Sequence, residues 1–327
     1  MNAGPSASTL EHAVGLAARA PSLHNSQPWQ WRADGDVLRL SAARERMLPT
    51  TDPSGRQMLI SCGATLDHLR AAMAAAGWRL SADRFPDPGD PELLAHITFE
   101  HAPTVVEDDR ARADAIDRRY TDRLPFGPPP AWDEFEPALR SAVEDREIRV
   151  DVLAEDDHPA LAHATQMTGA RRRYDSAYHA ELHWWTGHVI GGAGVPKTSL
   201  ISPEEHERVD IGRRFPTVPT ESDTAADTAE DHAVVLVLST GADTRDDHVR
   251  CGEALSTVLL DATAAGYATC PLTHLTEISD GRTAIRELIG GDRLPQVLIR
   301  VGAPPRRDRP PARTPRLPLA EIFSASA

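Results

Sequence analysis

The chain has 327 residues, 40% hydrophobic and 26% charged, which describes a folded globular protein long enough for two lobes. A formal net charge of -14 argues against a nucleic-acid surface or an anionic membrane, since both attract basic patches. No apolar run approaches the ~18 residues of a membrane span, and Cys62, Cys251 and Cys270 lack metal-ligand spacing, so we expect a cytoplasmic chain with reduced, buried thiols and no metal.

The chain opens with an alanine-rich amphipathic run, Leu10 to Ala20, that reads as a helix stopped by Pro21. Pro21 to Trp31 then crowds a hydroxyl, an imidazole, amides and two indoles into a few residues, more planar hydrogen-bonding groups than a plain turn needs. Asp34-Gly35-Asp36 is a hairpin turn between strands at 29–32 and 37–40. A long helix is expected over 56–77, with Leu59, Cys62, Leu66, Leu69 and Met73 on one side, followed by strands at 78–80 and 97–100. Short helices are expected at 111–116 and 135–143, a strand at 148–153, and one helix over 161–185.

Residues 187–219 have no clear period and are rich in glycine and proline, which at this length marks a lid, a binding loop or a disordered segment. Gly191, Gly192 and Gly194 offer hinge freedom there, and Arg208, Arg213, Arg214 and Phe215 could meet an anionic or planar substrate. Residues 221–231 are polar and acidic. Ala233 to Leu238 is an uninterrupted apolar run that suits a strand buried on both faces, with a counterpart at 297–301. Residues 304–318 carry too many prolines for a helix.

Two stretches of this chain match each other. Cys62-Gly63-Ala64-Thr65-Leu66 and Cys251-Gly252-Glu253-Ala254-Leu255 each open an alanine-rich helical run that ends in Ala-Ala-Gly and an aromatic, Trp78 or Tyr267. The offset is 189 at both ends, since 251 minus 62 equals 266 minus 77. An internal repeat with conserved register predicts two related halves, 1–108 and 109–327, packed as a dimer fused into one polypeptide.

Lys197 is the only lysine, so a bound phosphate must be held by arginine forks or backbone amides. Arg119-Tyr120-Thr121-Asp122-Arg123 offers two guanidiniums and a hydroxyl; in a helix Arg119 and Arg123 would share a face. Thr269-Cys270-Pro271-Leu272-Thr273-His274 follows the second repeat helix with a proline-stiffened extended edge, and Arg313-Thr314-Pro315-Arg316-Leu317-Pro318 lies near the end. No Gly-x-Gly-x-x-Gly follows a strand, and His179, His183 and His188 lack the glutamate of a zincin motif.

Pro21, Ser22, Asn25, Gln27, Pro28 and Trp29 resemble the Pro-Ser-x-x-Asn-x-Gln-Pro-Trp loop of the nitroreductase family. His24 and the chain length are most similar to its Acg-type branch, the actinobacterial NAD(P)H nitroreductases. The resemblance implies an α+β nitroreductase-like fold and an FMN site. Pro21, Ser22, Leu23, Asn25 and Gln27 would lie at the ring, with Pro271, Leu272 and Thr273 along its edge. Arg119, Thr121, Arg123, Arg313 and Arg316 would hold the phosphate. Only one such loop is present, which implies one site per chain, made from both halves of a monomer.

The function implied is an FMN-dependent oxidoreductase that moves hydride from NAD(P)H through flavin N5 to a nitro, quinone or similar small-molecule acceptor. No side chain need act as nucleophile or general base, because the flavin carries the redox chemistry. The alternative is a protein that binds or sequesters FMN with little turnover.

Overall fold

The computed structural model describes residues 4–144, 146–187, 189–215, 230–307 and 311–325. Most of the acidic stretch at 221–231 lies outside these residues, as do His188, 216–219 at the end of the expected lid, and 308–310 of the proline-rich tail. Helix α1 spans Ala7–Ala17 and is capped by Ser6, whose Oγ accepts from Thr9 N at 3.2 Å. Strands β1 (Trp29–Asp34) and β2 (Val37–Ala42) pair around the Asp34-Gly35-Asp36 turn, as their alternation predicts. Helix α2 (Arg56–Ala75), strands β3 (Trp78–Arg84) and β4 (Leu93–His101), and helix α3 (Glu107–Arg118) complete the first half.

The second half begins with α4 (Trp132–Glu144) and β5 (Arg149–Leu153). The helix expected over 161–185 is two, α5 (His158–Arg172) and α6 (Ser176–Gly187). Asp175 ends the continuity because its Oδ1 accepts from Tyr178 N at 3.0 Å, the bond of a helix start. A short α7 (Pro203–His206) lies in the long excursion that follows. Then come β6 (Val234–Thr240), α8 (Arg245–Ala264), β7 (Ala268–Leu272), α9 (Ser279–Leu288) and β8 (Leu294–Gly302). The chain closes with α10 (Leu319–Ile322) and β9 (Phe323–Ala325). Helices α7, α9 and α10 and strand β9 were not expected. The last two are only a few residues long and gain their order from docking on the first half.

Two sheets result, ordered β3-β4-β2-β1-β9 and β5-β6-β8-β7. Without β9, the first reads β1-β2-β4-β3, the same path as β5-β6-β8-β7, and every pair in both is antiparallel. Strand β6 is central, and its side chains alternate between two cores, Leu236 and Leu238 into one and Val235 and Val237 into the other. That is why its sequence is apolar without alternation.

Helices α2 and α8 carry the repeats and cross at their glycines. A Cβ on Gly63 would sit 2.0 Å from the Val249 carbonyl oxygen and 3.0 Å from Gly252 Cα. One on Gly252 would sit 2.0 Å from the Ile60 oxygen and 2.8 Å from Gly63 Cα. Val249 and Ile60 are themselves 189 apart, so the contact is reciprocal, as across a two-fold axis. Only glycine permits this approach. Around it, Ser256 Oγ meets His68 Nδ1 at 2.8 Å and Arg70 pairs with Glu253 at 2.9 Å, so polar groups as well as apolar ones join the helices.

Candidate functional site

A cavity of about 910 Å³ is walled by the loop after α1, the segment after α3, the 195–215 part of the excursion, the end of β7 and the C-terminal arm. The loop is strained. His24, Asn25 and Gln27 all have positive φ, 50°, 58° and 50°, a rare setting for residues with side chains.

One pole of the cavity is built from arginines. Residues 119–123 are extended rather than helical, with Asp122 N donating to Thr269 O at 3.0 Å. The expected helical face is therefore replaced by strand alternation. Arg119, Thr121 and Arg123 share one side, while Tyr120 and Asp122 are bonded to each other at 3.2 Å. Arg119 is buried, and its Nε and Nη1 have no partner; only Nη2 is used, on the Arg19 carbonyl at 3.2 Å. Burial and the neighbouring Arg19 charge lower its pKa to about 10. Arg316 is also pushed down by burial, then by Arg119 and Arg19, but its donors are occupied. Nε and Nη2 reach the Ala18 and Arg19 carbonyls at 2.9 Å each, satisfying oxygens left open where α1 ends. Arg313 pairs with Asp117 at 2.7 Å, and Arg19 approaches the same carboxylate at 3.8 Å. The free donors of this pole thus belong to Arg119, at Nε and Nη1, and to Arg19, whose Nε has no hydrogen-bond partner.

The other pole has a different character. Arg123 donates to the Ser199 carbonyl at 2.8 Å and lies 5.1 Å from the Phe215 ring centroid. Phe215 meets His24 edge-on at 5.9 Å. Arg213 pairs with buried Glu277 and donates to Tyr178 Oη at 2.8 Å. His24 is held neutral, first by burial and then by Arg213 and Arg123. His274 is lowered to about 3 by burial, Arg213 and His206. The charges acting on the two poles do not overlap: Arg119 responds to Arg19, and Arg316 to Arg119 and Arg19, whereas the histidines respond to Arg213, Arg123 and His206.

Pro21, Ser22, Leu23, Asn25, Arg119, Thr121, Arg123, Pro271, Leu272, Thr273, Arg313 and Arg316 all line this cavity. Gln27 does not. It is fully buried, donates to Gly192 O at 3.0 Å and accepts from Leu317 N at 2.9 Å, so it clamps the excursion and the arm to the loop. Asn25 does the same with its amide nitrogen, which donates to Gly192 O, Gly194 O and Pro315 O at 2.9, 3.0 and 3.1 Å. These contacts also revise the hinge expectation. A Cβ on Gly192 would lie 2.1 Å from Arg316 O, so this glycine is needed for close backbone packing rather than freedom. Sequence reasoning did not name Arg19, His24, His274 and Gln57 as site residues; His24 and His274 lay in stretches it singled out, whereas Arg19 and Gln57 are isolated side chains that carry no signal until folding surrounds them. All three thiols are buried; burial raises Cys62 and Cys270 and brings Cys251 to about 12, which leaves them inert. Among the described residues no helix is long and apolar enough to cross a membrane, and no group of His, Cys, Asp and Glu could hold a metal.

The family profile for nitroreductases matches residues 134–303. Over 318 residues the chain is 50% identical to the Mycobacterium tuberculosis protein named "Putative NAD(P)H nitroreductase acg", covering 97% of this chain and 96% of the relative. The chain belongs to the nitroreductase family. A second M. tuberculosis protein whose name reads "Putative NAD(P)H nitroreductase" is 39% identical over 324 residues, covering 97% and 92% of the two chains. The FMN-dependent nitroreductase NfnB of Mycobacterium smegmatis, solved with NADPH, overlays with a TM-score of 0.42 at 19% identity, covering 68% of this chain and 100% of that one. Family membership makes the chain an oxidoreductase, and the paired sheets on crossed repeat helices are a nitroreductase-like α+β fold in fused, pseudo-dimeric form.

Proposed function

We propose that the cavity holds one FMN per chain and that the protein reduces a nitro, quinone or similar small acceptor with electrons from NAD(P)H. The observation that carries this reading is Arg119, a buried guanidinium with two unpartnered nitrogens beside Arg19 and Arg316. A buried cation left without a counter-ion is costly, and a phosphate monoester would satisfy it with charge-assisted bonds. The donor set thus fits the phosphate of FMN, and a volume of about 910 Å³ accommodates its ring system.

In this reading Arg119 binds the phosphate directly. Arg316 and Arg313 contribute field and hold the C-terminal arm against the end of α1 and Asp117. Pro21, Ser22, Leu23 and Asn25 form the floor under the ring, kept rigid by the Ser22 Oγ that accepts from Gln27 N at 3.0 Å. Pro271, Leu272 and Thr273 supply the opposing edge, with Thr121 between the poles and Arg123 at the pole of Phe215 and His24. Held there, FMN would supply the hydride-transfer chemistry between NAD(P)H and the acceptor. The side chains orient the cofactor and exclude water. A division at residue 108 would cut α3, so in this reading the halves meet at the end of that helix, with the loop in the first part and the arginines and the expected lid in the second.

The 195–215 wall supports a second reading, an FMN-holding protein with little turnover. Arg123 to Ser199 and Arg213 to Glu277 tie that wall over the cavity. An absorption spectrum and denaturing release of the purified protein, followed by NADH or NADPH oxidation with a panel of acceptors, separate the readings. About one FMN per chain with acceptor-dependent turnover is expected; bound FMN without turnover favours the second reading, and no flavin sinks both.

A further inference from the structure

Besides Arg119 and the half-buried Arg19 and Arg307, each with an unpartnered Nε, three buried cavity-lining side chains have polar atoms without partners: Gln57 at Oε1, His24 at Nε2, and His274 at both ring nitrogens. Buried groups left in this way are rare in folded proteins and demand an explanation. The orientation of the Gln57 amide is fixed. Gln57 Nε2 donates to Glu277 Oε1 at 3.2 Å, and a carboxylate can only accept, so the amide must present Oε1 on its other side. The same Glu277 oxygen accepts from Thr273 Oγ1 at 3.2 Å, one residue before His274. His24 is brought to Gln57 by its neighbour Leu23, whose N donates to Ser61 Oγ at 3.3 Å, while Ser61 Oγ donates to the Gln57 carbonyl at 2.7 Å. All three side chains therefore belong to the pole of the Glu277–Arg213 pair: Gln57 bonds Glu277, and the Arg213 charge acts on both imidazoles. Each imidazole is neutral and so carries a single N–H to donate.

One acceptor and two donors at one pole match the inventory of a ring imide, in which one N–H stands between two carbonyls. Resting on the FMN reading above, we propose that Gln57, His24 and His274 recognise the imide edge of the flavin, Gln57 Oε1 accepting from the ring N3–H and the imidazoles donating to the flanking carbonyls. Arg119 anchors the phosphate at the opposite pole, so the two ends of one ligand account for the orphaned groups of Arg119, Gln57, His24 and His274.

The test compares FMN with N3-methyl-FMN, which keeps the phosphate and loses the imide donor, by fluorescence titration of flavin-stripped protein. The unaltered protein should bind N3-methyl-FMN about tenfold more weakly or worse, because Gln57 Oε1 then stays unpaired. Gln57→Leu should shrink that difference to about threefold or less, and His274→Phe should weaken FMN itself by roughly fivefold. Equal affinity of the unaltered protein for the two flavins overturns the proposal without touching the FMN reading, and it needs no variant to fold. Failure of FMN itself to bind overturns both. Variants that bind both flavins as the parent does but raise the KM for NAD(P)H would assign these groups to the reductant's carboxamide, which also overturns the proposal.

Discussion

The two halves share one strand path, yet differ at one connection. Strands β1 and β2 are joined by a tight turn at Gly35, whereas their counterparts β5 and β6 are separated by residues 154–233. The described part of that excursion packs back on the first half: Glu181 accepts from Thr50 N at 2.9 Å and Thr51 N at 2.8 Å, and Gly192 and Gly194 take the Asn25 amide. The C-terminal arm crosses in the same direction and adds β9 beside β1. The shared scaffold therefore supplies the crossing helices, and the asymmetric additions supply half of the cavity wall.

The first way to break this comparison is at the crossing itself. Gly63→Val and Gly252→Val should each cost about 3 kcal/mol, because either side chain drives into a carbonyl of the other helix with no room to relax. Chemical denaturation measures this. Near-equal losses fit a reciprocal contact, and a loss at one site alone would refute it. The next effect belongs to the asymmetric site. Arg119→Met should weaken FMN retention roughly tenfold to a hundredfold, the scale of one charge-assisted bond, while leaving the flavin-free protein at least as stable, since it removes an uncompensated buried charge. Equilibrium dialysis and thermal melts separate the two parts.

A smaller effect concerns the excursion. Arg213→Met removes the ion pair to Glu277, and bound flavin should then react roughly tenfold faster with dithionite, as expected for a shift of about 1.4 kcal/mol toward an open wall. Unchanged stopped-flow kinetics would show that the pair does not restrain access. The smallest effect is a pH dependence. His274 titrates near 3 when folded and 6.5 when unfolded, so between those values the unfolded chain binds the extra proton and stability falls as pH drops. His274→Phe should flatten the stability profile in that window by at most about 1.4 kcal/mol per pH unit. A slope identical to that of the parent would mean this imidazole does not titrate on unfolding.

Much of the molecule was legible before folding was considered. The 189-residue repeat identified the two crossing helices, because helix–helix contact imposes small residues at fixed positions. Apolar continuity identified β6, and turn chemistry placed the β1–β2 hairpin. Twelve of the thirteen anticipated site residues reach one cavity, counted from the wall residues named above. Tertiary structure decided the rest. It made 119–123 extended by pairing that segment with Thr269, turned Gln27 into a clamp and used up the donors of Arg316 on the carbonyls that end α1. It also left Arg119, Gln57, His24 and His274 buried with polar atoms unpaired. Periodicity and turn residues report a chain's relation to its near neighbours, so sequence alone determined most of the elements, but not those such as α10 and β9 that docking orders. Which hydrogen-bonding groups stay unsatisfied depends on contacts between segments as far apart as Ala18 and Arg316, and only the folded chain sets those.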